Sequence, residues 1–272
     1  AWARRGNGRF ELVEGDIRNY DLVRDVVGDR EVVLHQAAIP SVARSVADPL
    51  TSHRVNLDGT LHLLLAARDA DVYRFVAASS SSLYGESPTL PKVESMPADP
   101  ISPYGLDKYS AESYLRLFKQ LYGLQTVALR YFNVFGPRQD PGSEYSAVIP
   151  KFVTRMAGGQ PPVIFGDGEQ TRDFTYIDNV VQANLLGAEA PEEACGEAYN
   201  VACGERISLL ELVNRINRVL GTQFAAEHAD ARPGDIRHSL AGIDKIREKL
   251  GFEVSVGLDE GLERTVRHFT AG

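Results

Sequence analysis

The chain has 272 residues, 43% hydrophobic and 24% charged, with 29 Lys plus Arg against 37 Asp plus Glu and a formal net charge of −8. That is enough chain for a large core in one or two globular domains. The acidic balance argues against general nucleic-acid binding, and no apolar run approaches the ~20 residues that span a bilayer as a helix. Two cysteines, Cys195 and Cys203, make no disulfide framework. With the polar, basic start Ala1–Arg9 offering no signal peptide, a reducing cytoplasm is the expected setting.

In chain order, Phe10–Ile17 (FELVEGDI) reads as a strand ending in Gly-Asp, and Leu22, Val23, Val26 and Val27 give the next segment a helical face. Glu31–Ala38 (EVVLHQAA) is a near-continuous apolar strand, and VNLDGTLHLLLAARDA is a long helix starting near Asn56. Arg74–Ser79 is a short buried strand running into four serines, Ser79 to Ser82. After Pro103, apolar residues recur at helical spacing through Tyr104, Ala111, Leu115, Phe118 and Tyr122, and Thr126–Gly136 gives a further strand. Strand alternating with helix predicts an α/β fold with a doubly wound parallel sheet. Ligands of such sheets bind beyond the carboxyl ends of the strands, where Asp16, Gln36, Ala37, Ala38, Ser80 and Asn133 fall.

Beyond Gly136 a Pro/Gly-rich loop leads to a helix over KFVTRMAGGQ, a short strand, a polar turn, and a strand and helix over RDFTYIDNVVQANLLG. Another strand precedes an amphipathic helix, started by Ser208 with Glu211 three residues on, the pattern of a capping box. RPGDIRHSLAGIDKIREKLGF gives a loop and a short helix. The chain thus divides into residues 1–140, carrying the sheet, and 141–272, a smaller α/β domain that shares a cleft with it and can return elements to the sheet.

Tyr104 and Lys108 stand at i and i+4, on one face of their helix. A free phenol, with a pKa of about 10, is a poor base near neutrality, and an ammonium beside it favours the phenolate. A strand-end hydroxyl facing a Tyr/Lys pair is a proton-transfer constellation. The histidines have no metal-ligand spacing, so no metal site is expected, and His35 reads as a packed structural residue. The two cysteines read as inert thiols.

Ser followed by Tyr-x-x-x-Lys resembles the catalytic set of the short-chain dehydrogenase/reductase superfamily. EGDI, HQAA, NLDGT, SSSSLYG, SPYGLDK, RYFNVFGPRQ, GDGEQTRDF, YNVACG and RPGDIRHS extend the likeness along the whole chain, to the NAD-dependent nucleotide-sugar epimerases and dehydratases. The resemblance implies a Rossmann-like domain over 1–140 and a mainly nucleotide-sugar-binding domain over 141–272. No glycine-rich phosphate loop follows a first strand in this sequence, because GNGRF has no strand before it. The resemblance therefore puts the family's first strand–loop–helix–strand segment outside this sequence.

It further implies NAD as cofactor, with Asp16 and Ile17 at the adenine end, Asn56 ordering the loops beneath, Tyr104 and Lys108 on the nicotinamide ribose and Tyr131 on the nicotinamide side. Gln36, Ala37 and Ala38 join the cofactor contacts. Ser80 would hold the sugar O4 for Tyr104, with Ser81, Ser82, Asn133, Ala147 and Val148 around the substrate. Arg172, Arg232 and Asp235 would take its diphosphate and uridine, an arginine fork suiting two phosphate oxygens.

Ser81 and Ser82 stand where 4,6-dehydratases carry Asp and Glu, and hydroxyls cannot do that acid/base work. Asp140 stands where glucuronate epimerases want an arginine. Ser239 matches the position beside the sugar C2 group and leaves room for an N-acetyl substituent. The expected activity is 4-epimerisation of a UDP-hexose through a 4-keto sugar, with UDP-N-acetylglucosamine/galactosamine first and UDP-glucose/galactose beside it. The alternatives are a UDP-glucuronate 4-epimerase or decarboxylase and a non-catalytic nucleotide-sugar-binding fragment. The apolar stripe Leu106, Tyr114, Leu117 and Leu121, with the likeness, points to a homodimer through a four-helix interface.

Overall fold

The computed structural model describes residues 10–142, 147–231 and 236–271. Helix α1 (Tyr20–Val27) leads to β1 (Val32–His35), then to short helices α2 (Val42–Ala47) and α3 (Pro49–His53). A π-helical turn, Arg54–Asp58, joins α3 to α4 (Gly59–Asp69). Strand β2 (Arg74–Ser80) and the turn Ser81–Tyr84 precede α5 (Pro103–Tyr122), β3 (Gln125–Tyr131) and β4 (Val134–Phe135). The remaining elements are α6 (Val148–Ala157), β5 (Val163–Phe165), β6 (Thr171–Arg172), β7 (Thr175–Tyr176), α7 (Ile177–Ala188), β8 (Glu197–Val201), β9 (Ile207–Ser208), α8 (Leu209–Leu220), β10 (Glu227–Ala229), α9 (Asp244–Leu250) and α10 (Leu258–Thr270).

The main sheet runs β1-β2-β3-β8, every pair parallel. Alternation along β2 sends Phe75 and Ala77 to one face and Val76 to the other. Phe75 and Ala77 pack with Leu64 of α4 and Leu115 and Phe118 of α5. Val76 packs with Val127 and Leu129 of β3 and with Val180 and Ala183 of α7. Helices thus cover both faces, as a doubly wound sheet requires. Gly187 lets α7 lie close, since a Cβ there would meet Val76 and Val127 at 3.2 and 3.4 Å.

A second core gathers Phe135, Phe152, Ile164, Phe174, Leu212 and Leu262 beneath α6, α8 and α10. Both α7 and β8, from the second half of the chain, return to the main sheet. Strand β8 is its edge among the described residues, and two of its outward backbone groups are occupied. Glu94 Oε1 accepts from the Asn200 N–H at 2.7 Å, and Lys245 Nζ donates to the Ala198 carbonyl at 2.9 Å.

Some expectations need correction. Phe10–Ile17 forms no strand. Phe10, Leu12 and Val13 stay exposed, because no strand among the described residues runs beside them. The helical run through Asn56 begins earlier, at Pro49, where Asp48 caps α3 by accepting from the Thr51 N–H at 3.1 Å. Ser208 caps α8 through the Glu211 N–H at 3.1 Å, but the Glu211 carboxylate pairs with Arg215 instead of completing a capping box. Helix α10 had no counterpart in the sequence reading. No helix among the described residues is long and apolar enough to cross a membrane, and none of their acidic, His and Cys side chains cluster as a metal site.

Candidate active site

Ser80 ends β2 and caps the turn after it: its Oγ accepts from the Ser82 N–H at 3.2 Å and the Ser82 hydroxyl at 2.9 Å. Helix α5 starts opposite, with Ser102 as N-cap and Pro103 in its first turn. Tyr104 therefore enters on the first turn, its N–H bonded to Ser45 Oγ at 3.0 Å. The next residue, Gly105, lies against the turn after β2, where a Cβ would stand 3.0 Å from the Ser82 carbonyl, so the Tyr104 phenol enters on the Ser80 side of the strand end. One turn on, the buried Lys108 donates to the Ala78 carbonyl at 2.8 Å. The three residues read from the sequence as a proton-transfer set thus converge at the end of β2.

The electrostatics run against one expectation. Burial pushes the Tyr104 phenol above its ordinary value, the Ser80 hydrogen bond pulling the other way. Lys108 does not lower it here, because burial brings the Lys108 ammonium itself down to about 8, with Asp107 opposing. His35 Nε2 lies 2.9 Å from Thr60 Oγ1, and burial, helped by the Lys108 charge, holds the imidazole neutral down to about 3.

Around this set lie the other residues read as cofactor contacts. Asn56 is 1% exposed and ties the loop after β1, its Oδ1 accepting from the Ile39 N–H at 2.8 Å and its Nδ2 donating to the Ile39 carbonyl at 3.3 Å. That loop begins with Gln36, Ala37 and Ala38. Gln36 Nε2 donates to Asn184 at 2.8 Å, Asn184 Nδ2 to the Tyr131 hydroxyl at 2.8 Å, and Tyr131 back to Gln36 Oε1 at 3.0 Å. This closed ring joins the ends of β1 and β3 to α7. Asn184 was missed in the sequence, where it is one of several polar residues along α7.

Ile17 packs where a Cβ on Gly59 would stand, 2.6 Å away, which explains glycine in NLDGT. Asp16 is exposed and gripped by Arg18, whose Nε lies 3.0 Å from both carboxylate oxygens and whose Nη2 lies 2.5 Å from Oδ2. That side-chain bond holds the Asp16 carboxyl down at about 2.

Asn133, Ala147, Val148 and Arg172 line one cavity of about 220 Å³, with Phe135, Phe152 and Phe174 among its apolar walls. Asn133 has φ +32° and donates to the Asp173 carbonyl at 3.0 Å. Arg172 Nη1 donates to the Thr171 carbonyl at 2.9 Å. Ser239 is half-buried beside that strand, its N–H on the Thr171 carbonyl at 3.1 Å. Ser81 and Ser82 are half-buried beside Ser80. Arg232 and Asp235 lie outside the described residues. Cys195 is buried and Cys203 half-buried, and both are free thiols.

The residues fit a nicotinamide dinucleotide on its ribose side. A phenol and a buried ammonium one turn apart can bond a ribose diol, and the amide ring of Gln36, Tyr131 and Asn184 sits at adjoining strand ends. Asp16, the expected contact at the adenine end, has its carboxylate engaged by Arg18.

A parallel, doubly wound sheet with Ser, Tyr and Lys gathered at a strand end defines a nucleotide-binding enzyme of the short-chain dehydrogenase/reductase type. Residues 1–202 match the NAD dependent epimerase/dehydratase family, and the chain belongs to that family. It is 39% identical to the UDP-glucose 4-epimerase of Mycolicibacterium smegmatis, over 96% of this chain and 83% of that one. The structure of the UDP-N-acetylglucosamine 4-epimerase from Methanobrevibacter ruminantium M1, in complex with UDP-N-acetylmuramic acid, is similar at TM-score 0.91 and 42% identity, covering 95% of this chain and 82% of that one. The UDP-glucose 4-epimerase of Thermotoga maritima, with UDP-glucose, is similar at TM-score 0.91 and 38% identity, covering 94% and 83%.

Proposed function

We propose that the protein is a UDP-hexose 4-epimerase, with UDP-N-acetylglucosamine and UDP-N-acetylgalactosamine as its first pair of substrates and UDP-glucose and UDP-galactose as a second. The observation that carries this reading is the convergence of Ser80, Tyr104 and the buried Lys108 at the end of β2, where Lys108 bonds the Ala78 carbonyl at 2.8 Å and a Cβ on Gly105 would stand 3.0 Å from the Ser82 carbonyl. NAD, when bound, would supply the acceptor for the C4 hydride and its return to the opposite face of that carbon. Tyr104 takes and returns the O4 proton, and Ser80 holds O4 while it does so. The positive charge of an oxidised nicotinamide would oppose the effect of burial and bring the phenol toward ionisation, with Lys108 holding the ribose beside it.

Arg172 and Asn133 border the cavity that suits the nucleotide, and the apolar walls around Phe152 suit a base. Ser82 donates its hydroxyl to Ser80 and brings no carboxyl group to C5 or C6, which disfavours dehydration. Asp140 beside this loop disfavours a uronate carboxylate. Ser239, small and next to Thr171, is the residue that admits a 2-acetamido group. The two sequence segments 1–140 and 141–272 serve mainly cofactor and nucleotide sugar, respectively, and the outer face of α5 pairs two copies.

Incubation of the NAD-loaded protein with each UDP-sugar, with products resolved by chromatography, tests the reading. Interconversion of the 4-epimers supports it. A 4-keto-6-deoxy product, or no turnover of any UDP-hexose, overturns it.

A further inference from the structure

Ser80 is presented by a short bridge, Ser79–Tyr84, and both ends of that bridge lead to one side chain. Arg130 of β3 is 5% exposed. Its Nε and Nη2 fork onto Glu112 of α5 at 3.0 and 2.5 Å, and Glu112 Oε2 accepts from the Ser79 hydroxyl at 2.7 Å. At the other end, Arg130 Nη1 donates to the Tyr84 hydroxyl at 2.6 Å, with the guanidinium 5.0 Å from the ring centre. Tyr84 passes the chain on to Asn200 Oδ1 at 2.7 Å. Burial alone pushes the guanidinium down, but the bonds and charge of Glu112 outweigh it and leave Arg130 above its ordinary value.

We infer that Arg130 is a positioning residue for Ser80: through Glu112 and through Tyr84 it fixes both ends of the Ser79–Tyr84 bridge, and with them the contact between Ser80 and Tyr104. The same Glu112 lies one turn beyond Lys108, which is itself bonded to Ala78. Two successive turns of α5 are thus fastened to two successive residues of β2, so the helix carrying Tyr104 cannot slide along the strand carrying Ser80. A buried fork of this kind is costly to break, because removing one partner leaves the other charge uncompensated. The informative variants therefore cut the ties and spare the fork.

Ser79→Ala cuts the first tie, Tyr84→Phe cuts the second with the ring kept, and the double variant cuts both. Two readings are taken on each. The first is kcat for UDP-sugar epimerisation by the NAD-loaded protein, with UDP affinity measured by calorimetry. The second is the pH at which the Tyr104 ring ionises in the ligand-free protein, followed by NMR with ¹³C-labelled tyrosine and assigned with Tyr104→Phe. The expected result is a fall in kcat of about tenfold in the double variant, UDP affinity within about twofold, and Tyr104 ionising at higher pH as Ser80 shifts away from it. Lower thermal stability with kcat and the Tyr104 titration unchanged would make the fork merely structural and overturn the inference. If the double variant does not fold, the single variants decide by the same readings. The inference about turnover rests on the epimerase reading: a wild-type protein without epimerase activity overturns that reading, while the Tyr104 titration still decides the positioning role.

Discussion

Ser80, at the end of β2, and Tyr104, on the first turn of α5, face one another closely enough for the serine to pull the phenol toward ionisation against the effect of burial. Proton transfer needs this reach, since a base must lie within hydrogen-bond distance of the proton that it takes. Tyr104→Phe is expected to lower kcat by about two orders of magnitude or more, with UDP affinity nearly unchanged by calorimetry. Normal turnover in that variant removes Tyr104 from the chemistry.

The ring of Gln36, Tyr131 and Asn184 gives a stability test. Asn184→Leu removes the amide that donates to Tyr131 and to the Val180 carbonyl, and leaves Tyr131 and Gln36 short of a partner. A loss of about 1–3 kcal/mol in denaturant unfolding is expected. An unchanged midpoint and slope would mean that the ring adds nothing.

His35 sets a pH dependence. Its imidazole holds neutral to about 3 in the fold, against an ordinary value of 6.5, through burial and the nearby Lys108 charge. The unfolded chain therefore binds this proton first. The stabilising effect is complete above about 6.5 and is lost as pH falls toward about 3, at up to about 1.4 kcal/mol per pH unit. His35→Gln should flatten the fall in stability over that window relative to wild type. Parallel curves for the two proteins would show that His35 is not the group responsible.

Specificity is tested at Ser239. Ser239→Tyr is expected to cut kcat/KM on UDP-N-acetylglucosamine by about tenfold or more and to spare UDP-glucose, because overfilling a site costs typically about 1–3 kcal/mol. If the ratio of the two substrates does not move, the residue does not read the C2 substituent.

Assembly is tested on α5. Leu106 and Leu121 are 53% and 67% exposed, on the face away from Leu115 and Phe118. Burying such leucines in an interface is worth about 1.5–3 kcal/mol each. Sedimentation is expected to show a dimer, and Leu117→Lys with Leu121→Lys to shift it to monomer. A wild-type monomer at all concentrations would exclude the helical interface.

Strand periodicity and helix caps made much of the fold legible in the sequence. Val32–His35, Arg74–Ser80 and Gln125–Tyr131 have apolar alternation or runs, and Ser208 marks a helix start that the structure keeps. Phe10–Ile17 misled because propensity records what a residue tolerates, while a strand exists only where another pairs with it. At the site, Ser80, Tyr104 and Lys108 were legible because their spacing is local to one strand end and one helix turn. Asn184, Glu112 and Arg130 were not, because each acts through a partner far along the chain, and no short spacing announces such pairings. The sign of the Tyr104 shift was also hidden: it depends on burial, which a sequence motif does not contain.

The carboxylate of Glu94 and the ammonium of Lys245 occupy two outward hydrogen-bonding groups of β8, at the rim of the sheet. An exposed rim of this kind is a template on which a stray extended chain can dock and seed aggregates. Here the docking groups are already engaged by charged side chains, and a newcomer would have to strip both before making its first bond. Strand addition at β8 is thus opposed at the Ala198 carbonyl and the Asn200 N–H, with α9 packed against the same strand.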